Sequence, residues 1–210
     1  MSRRITVLFA ACAVVTSAVL LSAQTAKLRT TWAAPGVGPT SWAGKKVAVV
    51  AISSDMNVRM SAEEAMVREV TPRGPQAVAA YRAIPKELLA DKDQAQQWFA
   101  KSGVAGVIAM RVVNVDTSLE YSTVVVGAAY YQSFYSFYDY GLATVVPIGD
   151  PKQKKTYAVE TLLFDIAGGG KMIWAGMSET TDPKTIGTFV EGLAKAVVRD
   201  LEKKKLIAKK

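Results

Sequence analysis

The sequence predicts an α/β (α+β) fold: a single mixed sheet of about five strands, elements in the order β-α-β-α-β-β-β-α, with the helices packed on the sheet. Three observations carry this expectation. Short apolar, β-branched runs alternate with helix-capping patterns through the first half of the chain. A glycine loop then joins two further strand-like runs, and the C-terminal segment carries one apolar stripe at helical spacing. Half of the 210 residues are hydrophobic and 21% are charged, the balance of a chain with a packed core.

The first strand is Lys46 to Ser53, where Val47-Ala48-Val49-Val50-Ala51-Ile52 is short, apolar and mostly β-branched. Ser61 followed three residues later by Glu64 is a capping-box pattern and predicts a helix start, with Pro72-Arg73-Gly74-Pro75 as the stop. Ala77 to Ile84 fits a second strand ended by Pro85. Asp91 with Gln94 opens a second helix that runs through Trp98 and Phe99 to Lys101, with Gly103 as its stop. Val104 to Val115 is the strongest strand-like run, continuous and apolar enough for a sheet centre, with its later part turning polar at Asn114. Tyr157 to Ile166 and Met172 to Thr180, joined by Ala167-Gly168-Gly169-Gly170-Lys171, predict a hairpin. Asp182 as cap and Pro183 at the first helical position open a last helix whose stripe is Ile186, Phe189, Val190, Leu193, Ala194, Val197, Val198 and Leu201. Helical crossovers make the first three strands parallel, and the hairpin adds antiparallel ones.

The organisation is a signal peptide over 1–23, a linker over 24–45 and one α/β domain over 46–208 with an aromatic-rich insertion at 124–141. Arg3 and Arg4 precede an apolar run from Ile5 to Leu21 and the small residues Ser22 and Ala23, so export is expected, with cleavage leaving Gln24 first. Two other fates stay open: lipidation at Cys12, which follows Ala10-Ala11, and retention of the run as a membrane anchor. Either one would associate the protein with a membrane. Trp32 and Trp42 are expected to dock the linker on the domain. About 185 residues after the signal suffice for one core. The net charge of +8 falls to +6 without Arg3 and Arg4, 24 basic residues against 18 acidic. Lys203-Lys204-Lys205 and Lys209-Lys210 are read as a solvated, fraying helix end.

Composition argues against an enzyme. The chain has no histidine, and Cys12 is its only cysteine, which removes the usual general base and the thiol routes and leaves no His/Cys ligand set for a metal. Ser-x-x-Lys does not occur. Gly168-Gly169-Gly170-Lys171 lacks the Ser or Thr that a phosphate loop needs after its lysine, since Met172 stands there. Of the carboxylates, Glu63 and Glu64 fall in the expected first turn of a helix, where the dipole explains them, and Asp165 and Asp182 are turn and cap residues. Glu160 and Glu179 face each other as partners across the hairpin. Neither a cofactor nor nucleic acid is expected as a partner.

The most distinctive segment is the insertion, with Tyr130, Tyr131, Phe134, Tyr135, Phe137, Tyr138 and Tyr140 packed into eleven residues. Its spacing fits a helix or a strand. The rings form a candidate contact surface, because tyrosine offers amphipathic area at little entropic cost, or else they cover an open face of the sheet.

Several motifs together resemble an uncharacterised family of bacterial envelope lipoproteins: Lys46-Val47-Ala48-Val49-Val50, Glu63-Glu64, Ala79-Ala80-Tyr81 with Ile84-Pro85, Gly103-Val104-Ala105-Gly106-Val107-Ile108, Val159-Glu160-Thr161-Leu162-Leu163-Phe164-Asp165 and Met172-Ile173-Trp174-Ala175. The resemblance spans about residues 30 to 208. More distantly, the topology is similar to the N-terminal domain of the Tol-system periplasmic protein and to the curli-secretion lipoprotein. It implies a periplasmic or membrane-associated protein that works by binding another protein in envelope assembly or maintenance. Binding of a small ligand or glycan through the tyrosine-rich segment is the alternative, and a weak hydrolase the third reading.

Overall fold

The computed structural model describes residues 26–37, 42–84, 91–114, 133–144 and 156–209. The expected 1–23 signal, Cys12, Tyr130 and Tyr131 lie outside them. The elements are β1 (Lys27–Ala33), β2 (Lys46–Ile52), α1 (Met56–Val70), β3 (Gln76–Ala79), α2 (Ala80–Ala83), α3 (Lys92–Lys101), β4 (Val104–Asn114), α4 (Phe134–Ala143), β5 (Thr156–Asp165), β6 (Lys171–Thr181) and α5 (Ile186–Lys203).

The six strands form one mixed sheet in the order β1-β6-β5-β4-β2-β3. β2 pairs in parallel with both β3 and β4, while β4-β5, β5-β6 and β6-β1 are antiparallel. This is the expected single mixed sheet with helices packed on it, one strand larger than the sequence suggests. One face packs Val47, Val49, Ile108, Met110 and Leu163 under the apolar sides of α1 and α5. The other packs Ala48, Val50, Ala109, Leu162 and Phe164 under α3 and α4. Fully burying a Phe, Val or Leu side chain is worth about 1.5–3 kcal/mol, so the stripe of α5, from Phe189 to Leu201, is a main tie between layers.

The additional strand is β1, inside the segment read as a linker. A register shift at Arg29 breaks its alternation, and its partner β6 lies about 150 residues away, so no local period announces it. The docking expected of the tryptophans holds. Trp42 is 3% exposed, and its ring covers Gly106, where an added Cβ would stand 1.9 Å from Trp42 Cζ3; Trp32 is half-buried on the opposite face.

Three helix boundaries differ from expectation. α1 begins at Met56 because the Asp55 carboxylate accepts from Asn57 N at 2.8 Å and Val58 N at 3.3 Å, so Ser61 and Glu64 lie inside a helix already under way. Ala77 to Ile84 divides into β3 and the single turn α2, as Tyr81 N donates to the Glu63 carboxylate at 2.7 Å. Asp182 has a positive φ of 50°, unlike the extended backbone of an N-cap; Thr185 caps α5 instead, in reciprocal bonds with Thr188.

The described C-terminal lysines, Lys203 to Lys205 and Lys209, follow an ordered turn rather than a fraying helix end. Leu206 N donates to Leu201 O and Lys205 N to Glu202 O, a Schellman turn with Lys205 left-handed at φ 59°. Leu206 and Ile207 are buried, and Ala208 N reaches Arg73 O. The glycine loop is the hairpin turn expected.

Candidate functional site

Strands β2, β3, β4 and β6 run in one direction, which defines a carboxyl end and an amino end of the sheet. The carboxyl end gathers the starts of α1 and α5 and, on the other face, the end of α4, where Gly141 lies against Ile52. Among the described residues, the large hydrophobic side chains that stand exposed are Met56 (43%), Met60 (38%), Ile186 (38%) and Tyr140 (43%), all at this end. A cleft of ≈ 310 Å³ opens between α1 and α5, lined by Met60, Ser61, Glu64, Arg68, Tyr81, Gly187, Val190 and Glu191.

Beneath this rim lie buried ion pairs. Glu63, fully buried in α1, accepts from Ala51 N at 3.0 Å, Tyr81 N at 2.7 Å and Arg59 Nε at 3.0 Å. One carboxylate thus ties the end of β2 to α2 and to the first turns of α1. Burial pushes its pKa up; the two backbone donors and Arg59 pull the other way. Tyr138 is pushed up to about 12, chiefly by burial, with Glu63 adding and Arg59 opposing.

The second pair crosses the sheet. Arg111 Nε donates to Glu160 Oε2 at 2.9 Å and Nη1 to Thr144 Oγ1 at 3.1 Å, and the guanidinium lies over the rings of Phe137 and Tyr140, 5.6 and 4.8 Å from their centroids. Arg111 therefore binds β5 and α4 to β4. Burial raises the pKa of Glu160, opposed by Arg111. The neighbouring Glu179 pairs with Arg29 of β1. Glu160 and Glu179 share a face but are not partners across the hairpin as expected, since the register sets Glu160 opposite Met177 and Glu179 opposite Ala158, and each is engaged by its own arginine.

The aromatic insertion divides. Phe134, Phe137 and Tyr138 are buried against the sheet, with Phe134 centred 4.9 Å from Phe99 and 5.4 Å from Phe164. These three belong to the core and correct the expectation of a contact surface made of all seven rings. Helical spacing turns one side of α4 to the sheet, so the rings cover its open face. Tyr135 is half-buried beside them, and Tyr140 faces outward. Glu63 and Glu64 lie in the middle of α1 rather than in its first turn, and Glu64 meets Tyr81 Oη at 2.7 Å and Arg82 at 2.9 Å.

Sequence reasoning missed Arg59 and Arg111. A signal for both was present: Arg59 and Glu63 stand at i,i+4, and Arg111 and Glu160 are lone charges inside apolar strands. Among the described residues no three His, Cys, Asp or Glu side chains converge as a metal site, and no helix is long and apolar enough to cross a membrane.

No family model matches the chain, and no curated protein matches it. Among solved structures it is similar to the dodecamer of a PelC point variant from Paraburkholderia phytofirmans, at 13% identity over 88% of this chain and 99% of that one, with a TM-score of 0.49. A second structure, of the PelC dodecamer from the same organism, gives 16% identity over 86% of this chain and 99% of that one, at a TM-score of 0.47.

Proposed function

We propose that the protein is a non-catalytic interaction protein of the bacterial cell envelope, exported and held in the periplasm or at a membrane. It binds a protein partner in envelope assembly or maintenance through the carboxyl end of its sheet. The observation that carries this reading is the gathering of Met56, Met60 and Ile186 at the starts of two adjacent helices, beside an open cleft. Exposed apolar side chains scattered singly need no explanation, but a cluster of them beside a cleft suits a partner. The buried carboxylates Glu63, Glu160 and Glu179 are each bonded to an arginine, so none stands ready as an acid or base. The export motif and the resemblance to envelope lipoproteins support the location. Stacking on a glycan is disfavoured, since Phe134, Phe137 and Tyr138 turn inward.

The test places a photo-crosslinking residue at Met60, at Ile186 and, as a control, at Lys101, in cells. One envelope protein, identified by mass spectrometry at the first two positions and absent at the third, is expected. With the crosslinking residue at Met60, Ile186→Ser should weaken the adduct, and with it at Ile186, Met60→Ser should do the same, each serine changing stability by less than about 0.5 kcal/mol, the usual range for surface sites. Identical adducts at all three positions, or turnover of a glycan or ester by the purified protein at enzyme-like rates, would refute the proposal.

A further inference from the structure

The opposite end of the sheet carries a different chemistry. Lys45, Lys101, Lys171, Lys203, Lys205 and Lys209 stand exposed there. They come from the start of β2, the end of α3, the β5–β6 hairpin and the turn after α5, elements far apart in sequence. Hydrogen bonds hold these elements at one end: Gln76 N donates to Lys45 O, the Lys46 side chain through Nζ to Ser102 O at 3.1 Å, and Ala208 N to Arg73 O. The Schellman turn and the buried Leu206 and Ile207 fix the last of these lysines in place.

Every ion pair among the described residues is made by an arginine, and these lysines enter none. The acidic groups at this end are engaged elsewhere. Glu69 and Glu202 hold Arg73, Asp200 accepts from Trp174 Nε1 at 2.9 Å, and Asp165 accepts from Gly168 N at 2.9 Å. These four carboxylates offset only part of the charge of the six lysines and Arg73, so among the described residues this end keeps an excess of positive charge.

We propose that this lysine end is a docking surface for an anionic phospholipid leaflet. None of these lysines lines a described cleft, so the cations are presented on an open end of the sheet that a leaflet can meet all together. A leaflet needs only several cations presented together, for which the compact lysine ammonium suffices without the fork of arginine. Leu206 and Ile207 point inward, so the contact is electrostatic adsorption without insertion, and salt disperses it. This surface is independent of the carboxyl end and of the partner proposed for it.

The test is sedimentation of the full chain with phosphatidylcholine vesicles, with and without phosphatidylglycerol. Each lysine at an anionic surface is worth about fivefold in partition. Lys101→Gln, Lys171→Gln and Lys203→Gln together should lower binding to the phosphatidylglycerol vesicles on the order of a hundredfold. Binding to neutral vesicles, which the apolar Ile5–Leu21 run can support alone, should stay unchanged. The matching Lys→Arg triple should bind like the parent, with the thermal midpoint reporting the fold of both variants. A glutamine triple that is folded yet binds like the parent overturns the proposal, and so does tighter binding to soluble heparin than to the vesicles.

Discussion

The two ends of the sheet use positive charge in opposite ways. At the carboxyl end the cations are guanidinium groups drawn under the surface: Arg59 on Glu63, and Arg111 on Glu160 and two aromatic rings. At the amino end Arg73 is held in the same way by Glu69 and Glu202, but the other cations there are ammonium groups, exposed and outside the described ion pairs. A planar fork with several donors can satisfy a buried carboxylate and stack at once, whereas a hydrated point charge on a flexible stem keeps to water. The difference separates charge that builds the fold from charge that remains for a partner.

Removing one partner of the sheet-crossing pair should break the first half of that contrast. Arg111→Ala leaves Glu160 buried without its cation and frees α4 from β4, so a loss of about 3–5 kcal/mol in urea unfolding is expected. Replacing both groups, Arg111→Met with Glu160→Leu, should recover most of it, because an apolar pair of similar volume avoids desolvating two ions. A loss below about 1 kcal/mol for the single variant would mean the pair behaves as a surface bridge.

A smaller effect sharpens the other end. Lys205 occupies a left-handed position, which costs a residue with a Cβ about 1–2 kcal/mol. Lys205→Gly should therefore stabilise the protein by about 1 kcal/mol, about 2–4 °C in thermal midpoint for a domain of this size. No change would show that the turn after α5 is not held as described.

The smallest effect is one of sign. Burial raises the folded-state pKa of Glu160 above its ordinary value near 4.5, so the folded protein takes up that proton at a higher pH than the unfolded chain. The stability this proton contributes is full below the unfolded value and is lost as pH rises through the folded one. From neutral pH down towards 4.5, the parent should gain stability relative to Glu160→Gln. Urea midpoints across that window should show the parent rising relative to Glu160→Gln as pH falls, and a parent that instead loses ground would reverse the assignment.

Much of the fold was legible because its signals are local. The runs of β2 and β4, the glycine hairpin and the stripe of α5 each announce an element within a dozen or so residues. β1 was not, since its partner is distant and Arg29 breaks its register. The start of α1 was misplaced because Ser61 and Glu64 copy a capping pattern that Asp55 had already supplied. The candidate site was least legible. Seven aromatics mark a segment but not the side each ring turns to, and packing sent Phe134, Phe137 and Tyr138 inward. Met56, Met60 and Ile186 form one surface only because α1 and α5 start at the same end of the sheet.

β1 also sets an order in time. It is the first described strand in the chain, yet its partner β6 ends at Thr181. A chain that emerges N-terminus first, from a ribosome or a translocation pore, must carry Lys27–Ala33 unpaired until nearly all the rest has followed. Closing a loop of that length is a slow step, and it falls last. Lys27–Ala33 thus stays without its sheet partner until β6 has emerged, and only then does its pairing complete the sheet.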